Sequence, residues 1–436
     1  MRPRPATRLR LHGWRHPKIV AIALLGTVTG FAQFAPTASL SDVAVAFGAD
    51  GAGTAEQVGL TTTTVGLGLA VIRFASLGAL PIASIADRLG RRSVLLWCVG
   101  VGLALTATAS LSQSFWWFVA VVAISRPLFS ATTAVGSVVV SEETRSVDRA
   151  KAVALAAGGY GIGTGLVSLV RVPLNDLLGV GFRGVFAIAL LLLVAVPLLA
   201  PMLGEPDRFV ALRARLGEGV RQPRLAALTS VPRQLRGRLL LLTAVTFTFN
   251  VVTGPHNTFL FFYGEGVLGI SPATMAAIFI VSGVLGLGGL LLGRWICDRF
   301  GRRPAAIGCH LLMACAVVVA YSGSVTALVT GFWAGVLAQG AYGPAIGALS
   351  TEVFPTSIRA TTQGFVAAAG VLGAVAGLVL FGLLNDVTGS FAVAAATVGL
   401  IAAATAVSYR WFPETVGLEL EVSAPEIDDD PPVADD

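Results

Sequence analysis

Charged side chains are scarce in this sequence. Asp, Glu, Lys and Arg together make up 12% of its 436 residues, against 55% that are hydrophobic. A soluble domain carries about 25% charged residues to cover its surface. A soluble reading would need a dozen buried helices with almost no polar face, which argues against it. Cysteine and histidine are equally rare, at 4 each. Cys98, Cys297, Cys309 and Cys315 lie in or beside apolar segments, with neither a disulfide framework nor a metal-binding spacing. The histidines form no metal motif. No nucleophile–base pair or phosphate-binding loop is visible, so neither an enzyme nor a self-contained ATP pump is indicated, and no cofactor is called for. The net charge of +6 invites a nucleic-acid reading. That reading fails because the basic residues recur in loops of one sidedness.

What is present is apolar sequence in long blocks. A helix needs roughly 20 apolar residues to cross about 30 Å of hydrocarbon. The pattern predicts twelve spans at about 19–40, 58–84, 93–112, 115–139, 150–171, 184–203, 239–262, 272–296, 304–323, 326–350, 361–384 and 390–411. Arg2, Arg4, Arg8, Arg10, Arg15 and Lys18 precede the first block, as in a signal peptide. The run from Ile19 to about Leu40 is longer than a signal core, and a retained first span is expected. The expected organisation is a basic tail at 1–18, a six-helix bundle at 19–203, a basic loop at 204–238, a second bundle at 239–412 and an acidic tail at 413–436. The fold class is all-α integral membrane, with twelve transmembrane helices in two pseudo-symmetric six-helix bundles.

Lysine and arginine test this map. Of the 30, 26 fall on one side of the predicted spans. The exceptions are Arg73 and Arg126 inside spans, and Arg171 and Arg183 near the opposite surface. By the positive-inside rule both termini lie in the cytoplasm of a multi-pass protein of the cytoplasmic membrane. The chain also repeats. Asp87-Arg88-Leu89-Gly90-Arg91-Arg92 follows the second span, and Asp298-Arg299-Phe300-Gly301-Arg302-Arg303 follows the eighth, 211 residues later. Glu142 and Arg149 after the fourth span recur as Glu352 and Arg359 after the tenth, 210 residues later.

The doubled D-R-x-G-R-R loop resembles the signature loop of the major facilitator superfamily of secondary transporters. Glu352-Val353-Phe354-Pro355-Thr356-Ser357-Ile358-Arg359-Ala360 is similar to the E-x-F-P-T-x-x-R-A loop of its sugar porters and related metabolite and organic-ion transporters. Pro413-Glu414-Thr415-Val416-Gly417-Leu418-Glu419-Leu420-Glu421 is similar to their P-E-T-x-G-x-x-L-E tail, and Glu205-Pro206-Asp207-Arg208 echoes their P-E-S-P-R segment. The chain departs from the pattern too. Ala83 and Arg294 stand where the loop motif normally opens with glycine, the seventh span lacks the sugar porters' paired glutamines, and the first span lacks the carboxylate of many proton symporters.

The resemblance implies a monomer whose two bundles rock about a central site for a small molecule. It makes Asp87, Arg88, Gly90, Arg91, Arg92, Glu142, Arg149, Asp298, Arg299, Gly301, Arg302, Arg303, Glu352 and Arg359 a cytoplasmic gate of breakable charge pairs. The plain alternative is that the arginines only set topology. The substrate is read from polar residues at mid-span. A charge at the bilayer centre costs about 2.5–3.5 kcal/mol, so it normally faces a cavity or a partner. Arg126 lies roughly 16 Å into the fourth span and Arg73 roughly 21 Å from the Asp87 end of the second, at 1.5 Å per residue. No Asp or Glu falls at that depth in any predicted span. An anionic substrate would neutralise both, and arginine grips a carboxylate bidentately.

The resemblance implies that spans 1, 4, 7 and 10 line the cavity, and each carries a polar residue near its middle: Gln33, Arg126, Asn250 and Gln339. Asn257 and Tyr342 add to the candidate binding set with Arg73. Amides that glue helices together, and an arginine satisfied by backbone carbonyls, are the structural alternatives. His256 titrates near neutral pH when exposed and is the candidate for proton coupling. Its alternative is a plain hydrogen-bond donor. The expected function is proton-coupled uptake of an organic anion such as a carboxylate. Efflux of drugs or metabolites past the aromatic walls Phe34, Phe249 and Trp333, a sugar carrier, and a non-transporting sensor are the other readings.

Overall fold

The computed structural model describes residues 12–48, 60–145, 148–206 and 231–415. Most of the basic tail, most of the 204–238 loop and the acidic tail beyond 415 lie outside the described residues. Among those described, the regular elements are helices, and 12 are long and apolar enough to cross a membrane. In order they are Pro17–Ala38, Thr62–Ala86, Arg91–Leu111, Phe115–Glu143, Lys151–Asn175, Gly181–Met202, Arg233–Gly266, Pro272–Phe300, Arg302–Ala320, Val325–Glu352, Thr362–Thr388 and Phe391–Trp411. The all-α, twelve-span membrane fold is therefore as expected. The largest shift of a boundary is at the seventh span, which starts at Arg233 rather than at 239.

Apolar side chains point outward along these helices. Trp97, Leu191, Leu291 and Leu400 are each at least 71% exposed. Water would penalise such a surface at about 25 cal/mol per Å², whereas hydrocarbon does not. Local sequence sets the helix ends. The side chain of Ser114 accepts the backbone N–H of Trp117 and starts the fourth span, and Ser324 does the same with Ala327 at the tenth. Each cap satisfies a donor that the first helical turn leaves orphaned. The two serines are 210 residues apart, the offset of the Glu–Arg repeat. Pro36, Pro127, Pro255 and Pro344 lie inside the first, fourth, seventh and tenth spans. Each removes one i→i−4 hydrogen bond from its helix.

The chain divides into two compact units. One comprises Met1–Leu60, Val71–Gln222 and Glu265–Phe279, and the other Thr61–Ala70, Pro223–Gly264 and Ile280–Asp436. In the first, the fifth span lies directly on the first, and a Cβ at Gly163 would overlap the carbonyl of Thr27. In the second, the eleventh span lies on the seventh in the same way, and a Cβ at Gly373 would overlap the carbonyl of Phe247. Glycine is what lets these backbones touch. The first unit closes around Phe118, Phe182 and Phe186, stacked edge to face. The second closes around Phe259, Tyr321, Phe381 and Phe391.

Candidate functional site

In the first unit the fourth span carries Arg126 immediately before Pro127. Its Nη1 donates to the backbone carbonyl of Gln33 at 2.9 Å. Its Nε is buried and has no hydrogen-bond partner among the described residues. Arg73, from the second span, acts electrostatically on Arg126, and both feel the phenol of Tyr160 on the fifth span. The two guanidinium groups repel each other. Among the described residues no carboxylate pairs with either of them. The structure thus brings Gln33, Arg73 and Arg126 together and leaves one donor of a buried cation unanswered. An unpaired buried donor normally costs about 1–3 kcal/mol, so Nε of Arg126 is open to a further acceptor.

In the second unit the polar set is internally bonded. Asn250 donates from Nδ2 to the carbonyl of Thr246 at 2.9 Å, and Asn257 donates to Oε1 of Gln339 at 3.3 Å, tying the seventh span to the tenth. His256 is buried, with Nε2 3.3 Å from the carbonyl oxygen of Phe332 and Nδ1 without a partner among the described residues. Tyr342 stacks on Phe249 with ring centroids 3.7 Å apart. Its hydroxyl is 2.6 Å from that of Tyr409, which in turn lies 3.2 Å from Nδ1 of His310. Sequence reasoning missed His310 and Tyr409, since neither carries a motif.

The loop motifs do two things in each unit. Gly90 and Gly301 have φ of 104° and 107°, a backbone open to glycine and strained for any other residue. The turn they make presents the next two backbone N–H groups to a carboxylate from far along the chain. Glu205 accepts from Arg91 and Arg92 at 2.9 and 3.0 Å. Glu414 accepts from Arg302 and Arg303 at 2.9 and 3.1 Å. A carboxylate there also meets the positive end of the helix dipole. The side chains of Arg91 and Arg302 then reach Glu142 and Glu352, the latter at 3.3 Å. Asp298 lies 3.6 Å from Arg302, and Arg299 covers the ring of Phe300. The second arginine of each pair reaches a carbonyl, Arg92 that of Ala200 and Arg303 that of Arg410. The side chains of Asp87, Arg88, Arg149 and Arg359 lie outside the described residues. Replacing Glu414 by glutamine, which keeps the shape and removes the charge, is expected to cost about 0.5–1 kcal/mol, and alanine about 0.5–2 kcal/mol. Chemical denaturation of the detergent-purified variants checks this, and no change for either would remove the capping role.

A further cluster lies at the other end of the first unit's helices. Arg171, 2% exposed, is gripped by two carboxylates. Its Nε and Nη2 donate to Asp42 at 2.7 and 2.8 Å, and its Nη1 and Nη2 to Glu265 at 2.5 and 2.6 Å. Ser41 and Asn175 complete the shell, at 2.8 Å from Arg171 Nη2 and 3.0 Å from Asp42. The signal available in sequence was weak: Asp42 and Glu265 each fall just beyond a predicted span end.

Comparison with known proteins agrees with this architecture. Residues 20–317 and 287–426 match the family model described as Major Facilitator Superfamily. A probable 4-methylmuconolactone transporter of Cupriavidus pinatubonensis is 27% identical over 376 residues, 83% of this chain and 85% of that protein. A putative metabolite transport protein of Haemophilus influenzae is 26% identical over 307 residues, 66% of this chain and 71% of that protein. The inward-open structure of the xylose transporter XylE from E. coli superposes with a TM-score of 0.69 at 17% identity, covering 92% of this chain and 97% of the other. A bacterial homologue of the human lysosomal transporter Spinster, inward-facing and occupied, gives the same score and identity over 90% and 95%. At these identities the likeness to solved structures establishes the fold.

Proposed function

The chain belongs to the major facilitator superfamily and is a multi-pass membrane transporter rather than an enzyme, and from that premise we propose that it takes up a small organic anion, a carboxylate, by proton-coupled alternating access. One observation carries the reading: Arg73 acts electrostatically on Arg126 in the first unit, no carboxylate pairs with them among the described residues, and Nε of Arg126 is unanswered. A carboxylate bound there makes charge-assisted, bidentate hydrogen bonds and relieves the repulsion between the cations. The C. pinatubonensis relative, a probable 4-methylmuconolactone transporter, is in keeping with a small metabolite as cargo.

The remaining parts of the proposal follow from charge. The lysine and arginine bias orients the chain with both termini in the cytoplasm of the cytoplasmic membrane. The capped Arg91–Glu142 and Arg302–Glu352 pairs then lie at the cytoplasmic end as gate elements. Their making and breaking biases the two access states by a few kcal/mol. The coupling proton travels on His256 or on the substrate itself. The candidate binding residues Gln33, Asn250, Asn257, Gln339 and Tyr342 supply neutral polar contacts.

Ligand-dependent stabilisation tests the substrate class. A ligand at 100 times its Kd adds about 2.7 kcal/mol to the folded state. Small carboxylates are expected to raise the melting temperature of the detergent-purified transporter, and sugars and amines to leave it unchanged. Stabilisation by sugars or amines alone would overturn the anion reading.

A further inference from the structure

Within the first unit lies a cavity of about 270 Å³. It is lined by the first, third, fourth and fifth spans, with Ile22, Leu25, Leu95, Val140, Val153 and Tyr160 in its wall. The lining follows the helix faces that bear the arginine site. On the fourth span Thr133, Ser137 and Val140 stand 7, 11 and 14 residues after Arg126. On the first span Thr29, Gly26 and Ile22 stand 4, 7 and 11 residues before Gln33. At 3.6 residues per turn these spacings return to one stripe. Tyr160 belongs to both places: it lines the cavity and is the electrostatic neighbour of Arg73 and Arg126.

The hydroxyls in this wall spend their protons on backbone carbonyls. Thr29 donates to the carbonyl of Gly26, Thr132 to Leu128, Thr133 to Phe129 and Ser137 to Ala134, at 2.7 to 3.1 Å. Their protons stay within their own helices. A substrate hydroxyl acceptor would find no donor among them, and what the cavity mainly offers is methyl and methylene surface.

We propose that this cavity takes the apolar body of the substrate, so that the cargo is an amphiphilic organic acid with its carboxylate on Arg126 and Arg73 and a hydrocarbon group, a ring or short chain, in the end of the cavity nearest them, beside Gly26, Thr29 and Tyr160. The inference rests on the anion reading and narrows it. The volume suffices, because a closed cavity of about 150 Å³ already admits benzene.

The test is a series of radiolabelled acids of growing apolar body, acetate, butyrate, benzoate and phenylacetate, bound to the wild-type transporter in detergent. Affinity is expected to rise about fourfold per methylene buried, the fold-change equivalent of about 0.8 kcal/mol per methylene. A flat series overturns the inference while leaving the anion reading intact. Failure of every acid to bind overturns both. A second variant reads the cavity directly. Ala157 lines it and is exposed, so Ala157→Phe fills space without displacing packed neighbours. The ratio of phenylacetate to acetate affinity is expected to fall at least tenfold in this variant. A ratio equal to that of wild type overturns the inference, and the wild-type series decides it if the variant does not fold.

Discussion

Replacing Arg171 by alanine is expected to lower the stability of the folded transporter by about 3–5 kcal/mol, the loss seen when one partner of a buried ion pair is removed. The reason is what stays behind. Asp42 and Glu265 take adjacent edges of the guanidinium and share Nη2, with side-chain exposures of 19% and 8%. Without the cation, two like charges share a site that water reaches poorly, and Ser41 and Asn175 cannot neutralise them. Arg171→Lys keeps the charge and loses the fork that serves both carboxylates at once, so it is expected to fall between wild type and alanine. Glu265→Gln leaves a one-to-one pair and is expected to cost less than Arg171→Ala. Chemical denaturation of the purified variants in one detergent measures all three. A loss below about 1 kcal/mol for Arg171→Ala would place the cluster among the ion pairs that contribute little.

This cluster also shows where a sequence stops informing. The twelve spans were legible because an apolar run of some 20 residues has few other uses, and the repeat because identical loops recur at a fixed offset. The arginine pair was legible because a charge inside an apolar run is conspicuous by itself. Partners were not. Arg171 reads in sequence as a charge at the end of the fifth span near the surface, since its carboxylates lie 129 and 94 residues away. Glu142 and Glu352 stand with Arg149 and Arg359 in the repeat, and the side chains of those two arginines lie outside the described residues. Among the described residues Glu142 and Glu352 pair with Arg91 and Arg302, the latter 50 residues distant. The carboxylates of Glu205 and Glu414 looked like parts of a resemblance, and their work as caps on Arg91-Arg92 and Arg302-Arg303 appeared only once the glycine turns were seen in three dimensions. His310 and Tyr409 carry no pattern at all, because a hydrogen bond between two buried side chains on the ninth and twelfth spans leaves no periodic trace.

Arg126→Ala is expected to weaken recognition of the anion severely while sparing the fold. Among the described residues Arg126 holds a single side-chain hydrogen bond, to the Gln33 carbonyl, and no ion pair, so its loss strands no described carboxylate. It also relieves its repulsion with Arg73. Stability is therefore expected to stay the same or rise, the opposite of Arg171→Ala. Binding behaves otherwise. A hydrogen bond to a charged group contributes about 1.5–3 kcal/mol, so carboxylate affinity is expected to fall roughly 10- to 150-fold, the higher figure applying if both Nε and Nη2 meet the substrate. Arg126→Lys retains the charge without the bidentate geometry and is expected to recover only part of that loss.

The most direct test of an anion-carrying, proton-driven transporter is uptake into proteoliposomes under an imposed inward proton gradient. Radiolabelled carboxylates, sugars and amines would be offered to wild type and to Arg126→Ala, with the folded state of each checked by size-exclusion profile. The predicted result is gradient-driven accumulation of a carboxylate by wild type, lost in Arg126→Ala. Accumulation of neutral or cationic solutes alone, or carboxylate uptake by the variant at the wild-type rate, would contradict it.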